Sequence, residues 1–361
     1  MNARSSEKLE QLAERTLELV NIPSESRSET ALEAHIESLL PSMLELVHRD
    51  GASLYARTPR SGKPLVVLAG HLDTVPAQAN VPGRREEGVI TGCGASDMKA
   101  GLAVMIELAR WIREIDAEID LDLGFLFFPR EELPLSESAL PAVFEAVPEI
   151  SEAKLVIMLE PTDNTIQSGC LGNLNATLVF SGESSHSARP WQGVNAIDRA
   201  IEGLQRVAAT EPREVTVQGL TFVEVLSLTG IEAGIAENVI PDRCVARLNY
   251  RYAPGRSTRQ AEESLQKLLG DLGGLTVTSN SPAAHVVVET PLVERLRRAG
   301  DLAVEPKQAW TPVAEFSARG LDAVNFGPGA TRYAHRADER VEIAQLERSF
   351  QTLQRFLTEP G

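Results

Sequence analysis

The stretch that most constrains this chain is Pro64-Leu-Val-Val-Leu-Ala running into Gly70-His-Leu-Asp-Thr-Val-Pro. A short unbroken apolar run of this kind is a buried strand, so His71 emerges where a core strand meets a loop. Side chains repeat every two residues along a strand, which puts Asp73 on the side of His71 if the chain stays extended. The pair reads as a metal-binding imidazole with a carboxylate behind it, because ligating histidines usually give their second ring N–H to an acceptor. Further on, Gly92-Cys-Gly-Ala-Ser-Asp-Met-Lys brings Asp97 to the start of a helical run, where the helix dipole favours a carboxylate.

Taken singly, these residues carry little. A histidine beside a strand is more often structural than a ligand, and Asp in a Gly-rich turn is ordinary turn chemistry. The balance shifts because further strand ends deliver the same chemistry: Glu131 and Glu132 after Leu121-Asp-Leu-Gly-Phe-Leu-Phe-Phe-Pro, Glu160 after Ala153-Lys-Leu-Val-Ile-Met-Leu, and His335 after Ala323-Val-Asn-Phe-Gly-Pro-Gly. Functional groups of α/β sheets gather at the carboxyl ends of the strands.

Helical spacing is read over residues 6–20, with a serine cap ahead, over 28–40, over 98–115, near 140–147 and in the final segment through Leu357. Two short strands turn at Asp50-Gly51. Helices alternating with the apolar strands predict an α/β domain whose mostly parallel sheet is covered by helices on both faces. After Gly172 the pattern changes. Residues 173–181 alternate like a half-exposed strand; Asn195 caps a helix with Ile197, Ala200, Ile201, Leu204 and Val207 on one face; 221–228 is another strand. Arg247, Asn249 and Arg251 then alternate against Ala246, Leu248, Tyr250 and Tyr252. A helix from Ser257 or Thr258 and a strand at Leu275 complete β-α-β-β-α-β, a ferredoxin-like α+β module. The expected boundaries are 1–172 with 287–361 for the catalytic domain and 173–286 for the inserted module.

With 361 residues, the chain suits about two domains. Its net charge of −16, from 35 basic and 51 acidic residues, argues against nucleic acid and anionic membranes as partners. No apolar run reaches the roughly 18 residues of a membrane span, and the first residues lack the apolar core of a signal peptide, so a cytoplasmic location is expected. Cys93, Cys170 and Cys244 form no C-x-x-C pair, and Cys93 reads as a small buried thiol.

Two histidines and several carboxylates suit zinc. The count fits two ions, with His71 and Glu160 on one, His335 and Glu132 on the other, and Asp97 between them. Glu131 is left over. If adjacent extended residues point in opposite directions, it faces away from the metal toward water and substrate, where it can act as general base.

Gly70-His-Leu-Asp-Thr-Val-Pro, Gly94-Ala-Ser-Asp-Met-Lys, Glu131-Glu132, Leu159-Glu-Pro-Thr and Ala334-His-Arg-Ala-Asp-Glu together resemble the di-zinc aminoacylase and carboxypeptidase family over essentially the whole chain. Ser168-Gly-Cys-Leu-Gly-Asn-Leu, His186-Ser-Ala-Arg, Ala236-Glu-Asn-Val-Ile-Pro-Asp and Trp310-Thr are similar to its desuccinylase branch. The resemblance implies two Zn2+ per subunit, with Co2+ or Mn2+ as substitutes, and a homodimer formed through the inserted lid module. It makes Glu131 the base and Asp73 the carboxylate behind His71. His186 becomes a lid residue that polarises the scissile carbonyl of the neighbouring subunit's site, and Asn238, Arg251, Arg189 and Gly329 become substrate contacts. The implied reaction is removal of an acyl group, succinyl in the first place, from a small acylated amino acid. The rivals are a deacetylase or dipeptidase of the same family and a non-catalytic metal-binding relative. Where related desuccinylases carry Thr-Asp and then Arg, this chain has Thr311-Pro312-Val-Ala-Glu315. A carboxylate at Glu315 near the acyl pocket would disfavour succinyl.

Overall fold

A computed structural model describes residues 3–115 and 119–359 of the chain. They divide into two compact units. The first contains the residues up to Ser168, Val287–Glu305 and those from Glu315 onward; the second contains Gly169–Val286 and Pro306–Ala314. The short segment Pro306–Ala314, expected in the first domain, is a correction to the boundaries read from sequence. It belongs to the second unit, where Trp310 Nε1 donates to the Pro282 carbonyl at 3.0 Å.

The first unit is built on an eight-stranded sheet in the order Glu45–Asp50, Ser53–Arg57, Asp122–Phe128, Leu65–His71, Leu155–Met158, Ala323–Asn325, Ile166–Ser168, Val304–Pro306. The four strands in its middle are parallel. Their apolar runs are continuous because both faces are covered. Val66 and Leu68, Leu123, Phe125 and Phe127, and Leu155 and Ile157 share one core cluster with the helices Ala3–Val20, Lys99–Ile112 and Ile343–Thr358. The alternate residues Val67, Ala69, Leu126, Phe128, Val156 and Met158 are buried on the opposite face. Each such large side chain contributes roughly 1.5–3 kcal/mol on burial.

Several expectations are adjusted in detail. The first helix begins at Ala3, so the serines expected to cap it fall inside. The hairpin expected at Asp50-Gly51 turns through Gly51 and Ala52, both with positive φ, as a two-residue connection requires. The sequence reading missed a small sheet of Arg84–Glu86, Val89–Thr91 and Arg340–Glu342, whose three-residue strands are too short to show a period.

The second unit is an antiparallel sheet in the order Arg213–Val217, Leu220–Ala233, Arg243–Tyr252, Gly172–Ser181, Gly274–Ser281. Its last four strands have the ferredoxin-like order, and Arg213–Val217 is an added strand that the expected β-α-β-β-α-β omitted. Helices Ala196–Ala208 and Thr258–Leu269 start at Asn195, which accepts from Ile197 N–H, and at Ser257, whose capping box is closed by Gln260. Ala200, Leu204 and Val207 enter the core as expected, but Ile197 and Ile201 do not. With Ala196 and Gly203 buried, the inward face is rotated, and Ile201 is left 55% exposed.

Candidate metal centre

The parallel register aligns His71 with Phe128 and Ala69 with Met158, so the residues following these strands emerge together. Asp97 is delivered just before helix Lys99–Ile112, and His335 follows a single turn of 3-10 helix at Thr331–Tyr333. Six side chains, His71, Asp97, Glu131, Glu132, Glu160 and His335, form three overlapping groups whose ligand atoms lie within 4.8 Å of one another.

Asp97 stands between the two imidazoles. Its Oδ1 lies 3.1 Å from His71 Nε2 and its Oδ2 lies 3.5 Å from His335 Nε2. Glu160 approaches His71 Nε2 at 3.9 Å, and Glu132 meets His335 Nε2 at 2.9 Å. His71 is fully buried, whereas the His335 side chain is 52% exposed. His71 Nδ1 lies 3.0 Å from the Asp73 carbonyl, which can only accept, so Nδ1 carries a proton and Nε2 is the ring nitrogen turned to Asp97 and Glu160.

The Asp73 carboxylate lies 3.6 Å from the same ring nitrogen, and it also accepts from the backbone N–H groups of Glu131 at 2.9 Å and Glu132 at 3.0 Å and from the Ser26 hydroxyl at 2.8 Å. The same bonds undo the expectation that Glu131 and Glu132 diverge. The backbone before them turns through Arg130 at φ 64°, the segment is not extended, and both carboxylates reach the same group as His71.

Four carboxylates packed together leave a strong need for positive charge. Burial pushes Glu131 well above the usual carboxylate range; His71 opposes this, and Glu160, Glu132 and Asp97 add to it. Against the effect of burial, hydrogen bonds from His335 and His71 hold Asp97 well below that range. Hydrogen bonds to Asp97 and Glu132 push His335 up to about 11. Burial disfavours charge on His71, but Asp73, Asp97 and Glu131 outweigh it and raise the imidazole well above its ordinary value. A donor set of imidazole nitrogen and carboxylate oxygen with this charge deficit fits divalent cations.

The other residues singled out in the sequence belong to none of the three groups. Gly329, expected at the substrate, uses its N–H on Gln345 Oε1 at 2.8 Å and its carbonyl on Asp163 N–H at 2.7 Å, so its backbone braces its own loop. Cys93 is buried, with Sγ on the Val75 carbonyl, and belongs to none of the three groups. Glu315, expected beside an acyl pocket, is only 6% exposed; it accepts from the Ser138 hydroxyl at 2.8 Å, and burial pushes it to about 7. In the second unit, His186 is exposed, and its Nδ1 accepts from Ala188 N–H at 3.0 Å, which leaves Nε2 to carry the proton. Asn238 and Arg189 are exposed there as well, and the half-buried Arg251 donates to Asn249 at 2.9 Å.

Sequence reasoning passed over Glu339, which is 2% exposed and accepts at 3.0 Å from each of the N–H groups of Gly94, Ser96 and Asp97. Its signal was present in Ala334-His-Arg-Ala-Asp-Glu, four residues beyond His335, but no role was attached to it.

Residues 67–359 match the family model for peptidase family M20/M25/M40. The chain belongs to this family. A putative succinyl-diaminopimelate desuccinylase of Mycobacterium tuberculosis is 38% identical over 351 residues, covering 95% of this chain and 97% of the relative. A succinyl-diaminopimelate desuccinylase of Corynebacterium glutamicum is 35% identical over 357 residues, covering 95% of each. Among solved structures, an aminopeptidase from Bacillus cereus has the same fold at a TM-score of 0.77 and 20% identity, over 97% of this chain and 98% of the other. A dinuclear metal-binding family member from Bacillus subtilis matches at 0.72 and 15% identity, over 97% of each. Family membership makes the chain a metallopeptidase-type hydrolase acting on amide bonds. No helix among the described residues is long and apolar enough to cross a membrane.

Proposed function

We propose that this chain is a zinc-dependent desuccinylase that hydrolyses the amide of N-succinyl-diaminopimelate, with two Zn2+ per subunit. The observation that carries the proposal is the placement of Asp97, one carboxylate oxygen toward each imidazole, with Glu160 on one side and Glu132 on the other. His71, Asp97 and Glu160 would hold one ion and His335, Glu132 and Asp97 the second. When bound, such a pair supplies Lewis-acid polarisation of the amide carbonyl and lowers the pKa of the attacking water. Glu131, not counted as a ligand and raised in pKa by burial, takes the proton from that water and returns it to the leaving amine. Asp73 fixes the direction of both glutamates through their backbone N–H groups.

The acyl group is argued from similarity along nearly the whole chain to the two desuccinylases. Substrate carboxylates need local guanidinium groups in a protein of charge −16, a task suited to Arg251 and Arg189, with Asn238 as a further polar contact. The first unit is the catalytic domain, and the second is a lid through which two copies pair. His186, with a proton on Nε2, donates to the carbonyl oxygen.

Hydrolysis of N-succinyl-diaminopimelate, N-acetylornithine and a dipeptide, measured with zinc, after chelation and with Glu131→Ala, tests the proposal. Succinyl hydrolysis that needs both zinc and Glu131 is expected. A preference for the acetyl substrate or the dipeptide would keep the chemistry and replace the substrate, while no zinc-dependent hydrolysis of any substrate would remove the proposal.

A further inference from the structure

Two buried side chains tie the loop carrying Asp97 to the segment carrying His335. The Glu339 carbonyl accepts from Gly92 N–H at 3.0 Å, and its carboxylate accepts from Gly94, Ser96 and Asp97 N–H, so one residue gathers four N–H groups of one loop. The Ser96 hydroxyl, with no exposed surface, adds a second tie: it accepts from Ala330 N–H at 2.9 Å and donates to the Ala330 carbonyl at 3.1 Å. His335 lies in the short span between Ala330 and Glu339, so each end of the loop that presents it is fastened to the backbone that presents Asp97.

The two halves of the centre differ in their need for such bracing. His71 ends a central strand paired on both sides, and Glu160 follows a neighbouring strand of the same sheet. His335 instead sits on a loop at φ 60°, a left-handed conformation that non-glycine residues hold only when their surroundings enforce it. We infer that Glu339 and Ser96 are positioning residues that set the Asp97 to His335 separation, and that they govern occupancy of the His335 side of the metal centre while leaving the His71 side nearly untouched. Outer residues that orient ligands commonly change metal affinity by about 10–100-fold.

This inference rests on the proposed two-ion centre, and a zinc titration of the metal-stripped protein by chelator competition separates the two. Wild type, Glu339→Ala, Glu339→Gln and Ser96→Ala are titrated, and the melting temperature of each stripped protein is recorded. Wild type binding two ions supports the centre; fewer than two removes the centre itself, whatever the variants do. Given two ions, Glu339→Ala is expected to keep one at wild-type affinity and to weaken the other by about 10–100-fold. Glu339→Gln should fall between, since its amide keeps one acceptor and turns a donor toward Gly94 N–H. Ser96→Ala should weaken the same ion. Unchanged affinities overturn the inference, and so does an equal weakening of both ions that tracks a fall in melting temperature, because that is the mark of a merely structural role. If Glu339→Ala does not fold, Glu339→Gln and Ser96→Ala decide by the same criteria.

Discussion

Nε2 of His71 stands 3.1 Å from Oδ1 of Asp97. The other oxygen of the same carboxylate faces His335, so Asp97 presents one oxygen to each half of the centre. Asp97→Ala should therefore abolish tight binding of both ions, whereas His335→Ala should cost one. Metal content after extensive dialysis checks this, and two zincs retained by Asp97→Ala would exclude the bridge.

Zinc affinity should rise with pH. Hydrogen bonds to Asp97 and Glu132 raise His335 to about 11, and His71 is also held above its ordinary value. A raised histidine pKa stabilises the protonated, metal-free fold below the unfolded value near 6.5, and this contribution is lost as pH climbs through the folded value. An ion must displace those protons. Chelator competition should show affinity rising about 10–100-fold per pH unit, for one or two protons released. A flat profile would mean that the ions do not replace protons on the imidazoles.

Glu131→Gln should keep both ions and lower kcat by roughly 10²–10⁴, the usual worth of positioned acid–base catalysis. Metal analysis beside steady-state rates distinguishes this from ligation, in which zinc and rate would fall together.

Much of the centre was legible because continuous apolar strands announce a covered parallel sheet and its carboxyl ends collect the polar residues. His71, Glu132, Glu160 and His335 could be named from strand ends and Asp97 from the start of a helical run. What escaped depended on backbone detail that periodicity does not encode. The positive φ of Arg130 turns both glutamates to one side, and the Asp73 carboxylate, 3.6 Å from the His71 ring, also holds their N–H groups while the Asp73 carbonyl meets His71 at 3.0 Å. Glu339 likewise bonds only to backbone N–H groups, which any residue supplies. In the second unit, Ile197 and Ile201 were misplaced because small residues, Ala196 and Gly203, turned the helix.

Glu315 bears on the stability of the fold. Burial raises it from 4.5 to about 7, with the Ser138 bond and Arg319 opposing. A carboxyl raised in the fold favours folding fully below its unfolded pKa and loses that contribution as pH rises through about 7. At 1.36 kcal/mol per unit the swing is roughly 3 kcal/mol. Glu315→Gln should flatten this part of the profile in urea melts at about pH 5 and 8, while Glu315→Arg would bury a cation and destabilise the fold at both. A wild type equally stable at the two pH values would place the titration of Glu315 outside this window.

The second unit presents a surface suited to another copy of itself. Strand Leu220–Ala233 pairs with Arg213–Val217 only as far as Glu224, and beyond that point it pairs with Arg243–Tyr252 among the described strands. Its Leu228 and Ile231 are exposed, as are Ile197 and Ile201 on helix Ala196–Ala208. An open strand edge beside exposed apolar side chains is a liability in a monomer and a self-complementary surface in a two-fold dimer. If that dimer carries His186 to its partner's centre, inactive His186→Ala subunits mixed with inactive Glu131→Ala subunits should regain part of the wild-type rate. One site of each mixed dimer would then hold both intact groups. Light scattering should report a dimer that Ile201→Asp and Ile231→Asp together dissociate. A dimer whose verified subunit exchange restores no activity would mean that His186 serves its own subunit.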